Sequence, residues 1–315
     1  MSRATDVFKP PPRDGVSASR VGVGDGRYPD VLAFLVARFP AVTDWPGRLA
    51  RGNVLDAAGR PLAAVSPCVL GDVLWYWREP PPEPRVPFEI ELLHRDEYLV
   101  VVDKPHFLPV IPGGRHLRET VLVRLRQQLG IETLAPMHRL DRETAGVLVF
   151  TVQPATRHAY HALLRERGVH KVYEAVAPWR ADLALPLTAR HRLEKPAGAG
   201  FMQVRAVPGE PNAQTLVEFV ERVAGPEQAL ALYRLTPRTG LTHQLRVQMN
   251  ALGLPIVGDR IYPRLWPVPA PDAAPDWSHP LQLLAREIAF TDPVTGAARR
   301  FTSPRRLQLT TGLPR

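Results

Sequence analysis

The chain has 315 residues, enough for one large domain or two ordinary ones, and its hydrophobic share of 45% with 23% charged residues excludes global disorder. Forty Lys and Arg residues against 31 Asp and Glu give a formal net charge of +9, which favours a polyanionic partner such as nucleic acid unless the whole proteome is basic. A single cysteine, Cys68, excludes an internal disulfide and a zinc ribbon, predicts a cytoplasmic location and is interpreted as a small buried side chain.

The first third of the chain predicts a tail, a small unit and a linker. No signal peptide is expected at the N-terminus, and no apolar run is long enough to span a bilayer. Residues 1–28 are polar and rich in Pro and Gly, which predicts a flexible tail. Residues 29–80 begin with "DVLAFLVARF", which has helical periodicity, and the remainder of this unit favours short strands joined by glycine-containing turns. The proline-rich segment 81–87 predicts a linker before a domain at 88–315, because proline lacks a backbone donor and continues neither element.

After the linker the pattern mixes helices and strands. "FEIELLHRDEYLVVVDKP" predicts two strands, and residues 115–130 predict a helix that ends at Gly130. "GVLVFTV" is typical of a buried strand, residues 154–168 of a helix, "HKVYEAVA" of a strand, and "THQLRVQMNALG" contains a further helix. Without regular βαβ repetition or internal repeats, this order predicts the α+β fold class.

The segment "MHRLDRETAGVLVF", Met137 to Phe150, places Asp141 between Arg139 and Arg142, directly before a buried strand. An aspartate in a loop is commonly a turn or cap residue. A reactive carboxylate in a dry cleft, by contrast, needs a cation, because desolvation raises its pKa and an adjacent arginine lowers it. At ~4 Å and an effective dielectric near 20 such a pair attracts by roughly 4 kcal/mol. Either neighbouring arginine could supply this contact, or both could face phosphate.

Four segments resemble motifs of one enzyme family. "HRLDRETAG" resembles HRLDxxTSG, the catalytic motif of the RluA-type pseudouridine synthases. "DKPHFLPVIP" is similar to the family's DKPxGLxVxP, "KVYEAVA" to KxYxAxV, and residues 234–263 to TGRxHQIRxH followed by LGxPIxGDxxY. The matches occur in the family's order and span roughly 88–290. The resemblance implies a pseudouridine synthase catalytic fold, which is a mixed, largely antiparallel sheet with flanking helices. The unit at 29–80 is similar in position and length to the S4-like domain that often precedes this fold; it would bind RNA or be a structural appendage.

The resemblance also implies a reaction. Specific uridines in structured RNA would be flipped out, the bond from ribose C1′ to uracil N1 broken, the base turned, and C1′ joined to C5. Neither a redox cofactor nor a metal is needed. RNA is the implied partner, ribosomal RNA before transfer RNA, with no membrane and no obligate protein partner for a monomer. Asp141 would be the catalytic carboxylate, acting by covalent addition or by a glycal route.

Further site residues are implied by position in the motifs. Tyr173 would stack on the flipped uracil or help remove the C5 proton, unless it is a core aromatic. Arg246 would pair with Asp141, and Leu245 would pack under the base. Arg139 would then be free to occupy the space that the extruded nucleotide leaves. The other residues implied to bind substrate are Lys104, His138, Arg142, Thr144, His243 and Gln244.

Departures from the family pattern leave rival hypotheses open. The positions that differ are Phe107, Pro109, Ala145, Leu241 and Leu284; the altered side chains could touch substrate and change which RNA is modified. One rival is a catalytically silent RNA-binding or assembly protein of the same fold, against which the intact Asp, Tyr and Arg argue. Another is a nucleoside or glycoside hydrolase, for which a second carboxylate motif is missing.

Overall fold

Contacts divide the chain into two compact units. The first comprises residues 1–83, 112–118 and 123–132, and the second comprises residues 84–111, 119–122 and 133–315. The protein is represented by a computed structural model, which describes residues 8–24, 27–79, 83–114, 116–196, 203–223, 229–267, 270 and 273–310.

The first unit contains a three-stranded antiparallel sheet and short helices. In chain order its elements are β1 (Ser19–Gly22), α1 (Val31–Arg38), α2 (Trp45–Ala50), β2 (Val54–Leu55) and β3 (Val73–Tyr76), with the strands in the order β1-β3-β2. The helix predicted from "DVLAFLVARF" is confirmed as α1. Asp30 begins it, because its carboxylate accepts a hydrogen bond from the Ala33 amide at 2.8 Å.

Two predictions for this unit are wrong. Strand β1 lies inside the segment 1–28 expected to be a flexible tail; Val21 and Val23 bury their side chains in the same apolar cluster as Phe34, which holds the strand on the sheet. The stretch after Asp44 is helix α2 and not strand, because Trp45 is fully buried and proline follows it in the first helical turn. Cys68 is half-buried against the same cluster.

The second unit is built on one large sheet. Its strands among the described residues are β4 (Glu91–Arg95), β5 (Leu99–Lys104), β6 (Ala135–Pro136), β7 (Ala145–Thr151), β8 (Val169–Pro178), β9 (Leu187–Glu194), β10 (Arg205–Val207), β11 (Ala213–Val223), β12 (Leu230–Pro237), β13 (Leu283–Thr291) and β14 (Ala298–Thr302). The main path runs β10-β9-β11-β12-β8-β13-β7-β5-β4, while β14 pairs with β13 and β6 with β7. Within the described ranges every pairing is antiparallel except that of β7 with β13. The predicted mixed, largely antiparallel sheet is confirmed.

Three further α-helices occur among the described residues: α3 (Val121–Leu129), α4 (Arg157–Arg165) and α5 (Gln244–Ala251). Helix α3 is shorter than the prediction over 115–130. Gly113 and His116 exchange two backbone hydrogen bonds of 2.8 and 3.0 Å, and this tight bridge turns the chain before the helix begins. The helices predicted over 154–168 and within "THQLRVQMNALG" are confirmed as α4 and α5. No helix in the described part of the chain has the length and apolar character that a bilayer span requires.

Gly146 sits where β7 meets β13, directly after the segment that carries Asp141. Its φ is +112°, and a Cβ there would lie 2.2 Å from the carbonyl oxygen of Ala285. Only glycine fits, which explains the last residue of "HRLDRETAG". Beside it Ala145 pairs in register with Leu284; both are buried, so these two departures from the family pattern lie together in the core.

Replacing Gly146 by alanine is expected to lower the free energy of unfolding by about 3 kcal/mol or more, since the methyl group clashes with the neighbouring strand and the backbone is left-handed. Urea unfolding of the whole protein measures the loss. Gly24→Ala is the matched control, because a Cβ there meets nothing within 4 Å. Equal stability of the two variants would contradict the close approach of β13.

Candidate active site

Asp141 lies on the loop between β6 and β7. The loop turns tightly, since the Thr144 amide donates to the Asp141 carbonyl oxygen at 3.2 Å. The Asp141 side chain keeps 28% of its surface exposed, whereas Thr144 is buried and fixes the start of β7. A partly exposed carboxylate on a loop that a buried strand anchors is placed to meet a substrate from solvent.

Arg246 holds Asp141 from the buried side. It lies in the first turn of α5, only 2% exposed, and its Nη1 donates to Asp141 Oδ2 at 3.1 Å. Its Nε and Nη2 donate to the two carboxylate oxygens of Asp259 at 2.8 and 2.6 Å. Burial acts to lower the pKa of Arg246, but the hydrogen bonds and charges of Asp259, and then of Asp141, outweigh it and raise that pKa. The guanidinium is therefore a permanent cation with fixed orientation.

The arginines beside Asp141 make other contacts. Arg142 donates from Nε to Glu143 Oε1 at 2.9 Å, and Arg139 is exposed with no ion pair to any residue in the described ranges. The pairing of Asp141 with Arg246, about a hundred positions away in sequence, is the arrangement that the resemblance implies. Arg139 is free to meet an RNA, whereas Arg142 is already half-neutralised.

Asp259 is a site residue that sequence reasoning missed. It is 1% exposed, and Oδ1 also accepts from the amides of Ile261 and Tyr262 at 2.8 and 3.1 Å. The preceding Gly258 has a φ of +77°, and a Cβ there would lie 2.4 Å from a backbone oxygen of Pro280. The "GD" of "PIVGDRIYP" was therefore the available signal: a tight turn that delivers a carboxylate to the buried side of Arg246.

His243 completes the carboxylate's surroundings. Its backbone is left-handed at the start of α5, with a φ of +52°, and its ring is buried. The Val204 amide donates to the Tyr262 hydroxyl at 2.9 Å, and that hydroxyl lies 3.1 Å from His243 Nδ1. Burial lowers the pKa of His243 although the Asp141 charge acts to raise it. With Nδ1 accepting from the hydroxyl, Nε2–H faces Asp141 Oδ2 at 3.9 Å, too far for a hydrogen bond.

Tyr173 and Leu245 form an apolar wall near the carboxylate. Tyr173 on β8 packs against the core cluster to which Leu245 belongs. Burial and the Asp141 charge raise the pKa of Tyr173, so its hydroxyl stays protonated at neutral pH. A neutral phenol ring beside a leucine suits stacking on a base better than it suits removal of a proton.

Lys104 positions the Asp141 loop from beneath and has no exposed surface. Its Nζ donates to the carbonyl oxygens of Pro105, Leu108 and Arg142 at 3.0, 2.8 and 3.0 Å. His106, which sequence reasoning also missed, holds the next carbonyl: its Nδ1 lies 2.6 Å from the Glu143 oxygen. Substrate binding by Lys104 stays a prediction; in the structure all three of its donors are used inside the protein. The "DKPH" segment thereby holds the loop that carries Asp141.

Two other predicted substrate contacts also have structural roles. Gln244 is buried and bonds to the side chains of Thr239 and Thr215 at 2.8 and 3.0 Å, which ties the turn before α5 to β11. His138 accepts from the Val149 amide through Nε2 at 3.2 Å, and burial lowers its pKa to about 3, so the ring is neutral. The amide group of Gln244 has its donors and acceptor used inside the protein.

Complete burial lowers the pKa of Lys104 to about 7, whereas an unfolded lysine titrates near 10.5. Between these values the unfolded chain holds one proton more than the folded protein, so stability rises with pH. Relative to Lys104→Met, the wild type is expected to gain about 2 kcal/mol of unfolding free energy between pH 7 and pH 9. Urea unfolding of both proteins at the two pH values measures it. If the difference in unfolding free energy between the two proteins is the same at pH 7 and pH 9, Lys104 stays protonated.

Phe107 occupies a left-handed position, with a φ of +67°, where the family motif has glycine. The strain costs a non-glycine residue roughly 1–2 kcal/mol. The aromatic ring offsets it: Phe107 is 4% exposed, and its centroid lies 6.1 Å from that of Phe88 and 5.2 Å from that of Trp277. The Arg260 guanidinium lies 5.8 Å from the same ring. This departure is thus a packing solution within the second unit.

Comparison with known proteins identifies the family. The family described as RNA pseudouridylate synthase matches residues 98–251, a range that contains Asp141, Tyr173 and Arg246. The dual-specificity RNA pseudouridine synthase RluA of Pasteurella multocida is 31% identical over 232 residues, which cover 71% of this chain and 95% of that protein. The chain belongs to the RluA-type pseudouridine synthase family. The family predicted from the four motifs is confirmed.

A second RNA pseudouridine synthase and one solved structure agree. An uncharacterised RNA pseudouridine synthase of Synechocystis is 34% identical over 220 residues, or 69% of this chain and 73% of that protein. The structure of human RNA pseudouridylate synthase domain containing 1 matches with a TM-score of 0.57 at 21% identity, over 71% of this chain and 86% of that one. This likeness shows the synthase fold. Among the described residues, no group of three or more His, Cys, Asp or Glu is placed to hold a metal ion.

Proposed function

We propose that this RluA-type synthase isomerises specific uridines in structured RNA to pseudouridine, with ribosomal RNA placed before transfer RNA as the substrate class from the family's range. The observation that carries the proposal is the Asp141 carboxylate, partly exposed on the outside and held by the buried Arg246 on the inside. A bound base would exclude water from the site, and the arginine keeps the carboxylate ionised there. Both the covalent and the glycal route need an ionised carboxylate.

The roles of the surrounding residues follow from their positions. A uridine flipped out of its helix would lie between Tyr173 and Leu245, with ribose C1′ towards Asp141. After the C1′–N1 bond breaks, the base turns, C5 bonds to C1′, the proton leaves C5 and N1 takes up a proton, so the product is an isomer of uridine. Arg139, exposed beside the nucleophile, would fill the space that the nucleotide leaves.

The arrangement disfavours both rival functions. A hydrolase needs a second carboxylate that positions water, and the carboxylate next to the site, Asp259, is 1% exposed with both oxygens bound to Arg246. A silent RNA-binding protein would have no use for a buried cation that spans two carboxylates. Reaction chemistry is the simplest reason to keep this costly network.

Mapping of pseudouridines in ribosomal and transfer RNA, from cells with and without the gene, tests the proposal. We expect one or a few uridines to remain unmodified without the gene, and a plasmid copy to restore them. Cells in which neither RNA class changes would contradict both substrate classes. Restoration by a plasmid that encodes Asp141→Asn would contradict the enzymatic role and favour an assembly factor.

The first unit is proposed to be an S4-like RNA contact. The first unit, residues 1–83, 112–118 and 123–132, carries 14 basic and ten acidic side chains, whereas the second unit carries 26 and 21, so the two units share the positive excess of the chain almost equally. RNA affinity of the first unit would come from arginines that no acidic side chain neutralises. Arg20, Arg27 and Arg38 are exposed and form no ion pair with a described residue.

Changing these three arginines to glutamine is expected to reduce the salt dependence of RNA binding, by about one unit of the log–log slope for each phosphate that the variant no longer binds. Filter binding of ribosomal RNA at several salt concentrations measures the slope. Side-chain changes are preferable to deleting residues 1–80, since residues 112–118 and 123–132 belong to the same compact unit. An unchanged slope would make the unit a structural appendage.

A further inference from the structure

Lys171 lies on the face of β8 that carries Tyr173 and has no anionic partner among the residues that the structure describes. The two residues are separated by one position along the strand, so their side chains leave the sheet on the same side. Lys171 is half-buried and forms no hydrogen bond or ion pair with any residue in the described ranges. Its side chain is therefore a cation near the base-binding wall that the protein itself leaves unsatisfied.

The ammonium group lies against both segments that carry the catalytic residues. Its Nζ is 3.4 Å from the position that a Cβ on Gly240 would occupy, in the turn that leads into α5 and Arg246. Its positive charge also helps to lower the pKa of His138, three positions before Asp141. Two residues along a strand correspond to about 7 Å, which is comparable to the separation between a base and the phosphates of its own nucleotide.

Lys171 is not the counter-ion of Asp141, because Arg246 holds that carboxylate. Burial lowers the pKa of Lys171, and no carboxylate acts to raise it. Buried or half-buried charges in proteins are generally paired, since an unpaired one costs free energy. An ammonium kept without a partner beside a nucleic-acid site is accounted for if the substrate brings the anion.

We propose that Lys171 forms a phosphate subsite, binding the backbone phosphate on one side of the uridine whose base enters the Asp141 site. This inference rests on the proposed function. The ammonium donates to the phosphate oxygens and thereby fixes the ribose of the target nucleotide relative to Asp141. Tyr173 and Leu245 contact the base, and Lys171 contacts the backbone phosphate beside it.

The test measures whether the effect of changing Lys171 on RNA affinity depends on the charge of one particular phosphate. A hairpin carrying the uridine found by mapping is made with all linkages charged, and with a single neutral methylphosphonate on the 5′ side of the target, on its 3′ side, or at a distant stem position. The nucleotide before each neutral linkage carries a 2′-O-methyl group to prevent cleavage, and a charged reference carries the same group. Dissociation constants are measured for the wild type, Lys171→Met, Lys171→Arg and the control Lys195→Met, which changes an exposed lysine.

We expect Lys171→Met to bind the charged hairpin about tenfold more weakly. The wild type should lose about the same factor when one flanking linkage is neutral, and Lys171→Met should lose nothing more from that change. Lys171→Arg should retain most of the affinity, and Lys195→Met should bind as tightly as the wild type. The hairpin with the distant neutral linkage should be bound as tightly as the charged reference. Thermal unfolding checks the fold, and Lys171→Gln replaces the methionine variant if that one does not fold.

A different result overturns the subsite. If Lys171→Met weakens binding by one factor regardless of which linkage is neutral, the lysine only supports the Gly240 turn. If Lys171→Met binds the charged hairpin as tightly as the wild type does, the lysine contacts no phosphate. Failure of the proposed function gives a separate signal, because the wild type would then not convert the uridine of an unmodified hairpin.

Discussion

Asp141→Asn is expected to lower tritium release from RNA labelled at uridine C5 by at least about 1,000-fold, because the amide cannot supply the carboxylate oxygen that either route requires. The amide is nearly isosteric and still accepts a hydrogen bond from Arg246, so the protein should fold and bind RNA. Single-turnover kinetics with excess enzyme separates the loss of chemistry from any change in affinity.

The matched control for this change is Asp182→Asn. Asp182 is an exposed aspartate that also pairs with an arginine, Arg180, but it lies in a surface loop after β8. Its amide variant should release tritium at the wild-type rate. Wild-type release by Asp141→Asn would remove Asp141 from the chemistry and leave the RNA-binding protein as the better hypothesis.

Arg246→Met is expected to lower the free energy of unfolding by about 3–5 kcal/mol, because it leaves the carboxylate of Asp259 buried without its cation. Turnover should fall by about 100-fold or more as Asp141 loses the arginine that orients it. Urea unfolding and tritium release on the same protein measure the two effects.

A double variant, Arg246→Met with Asp259→Asn, separates stability from activity. The asparagine carries no charge, and its side-chain oxygen still accepts from the amides of Ile261 and Tyr262, so much of the missing stability should return. Activity should not return, since Asp141 still lacks its partner. A double variant as unstable as Arg246→Met would mean that the guanidinium stabilises the fold by packing and not by charge.

Patterns that are local in sequence were predictable. The apolar, β-branched run after Asp141 became the fully buried strand β7, and the alternating "HKVYEAVA" became strand β8, whose residues in this segment are buried or half-buried except His170. The proposed catalytic trio, Asp141, Tyr173 and Arg246, was accessible only through the family resemblance. Nothing local in the chain indicates that Arg246 and not Arg139 contacts Asp141, because that choice depends on how α5 packs under the loop.

The supporting residues were harder to infer because their partners are backbone atoms. Lys104 bonds only to carbonyl oxygens, and His106 lies against another, contacts that leave no trace in residue identity at the accepting positions. A lysine in a motif of a catalytic domain suggests substrate contact, whereas the complete burial of Lys104 favours a structural role. Strand β1 was not predicted, because four residues with one apolar side chain among them carry too little periodicity to distinguish a strand from a polar tail.

Because Arg246 bridges two carboxylates, the net charge of the site also restricts which part of a nucleotide can lie beside Asp141. Asp141, Asp259 and Arg246 together carry one net negative charge, and the adjacent His243 is a buried ring whose pKa is lowered. A phosphate within ~4 Å of the uncompensated charge would be repelled by roughly 4 kcal/mol at an effective dielectric near 20. Uracil is neutral and feels no such repulsion. Under the proposed function a nucleotide would therefore enter base first, with its phosphates held away from Asp141.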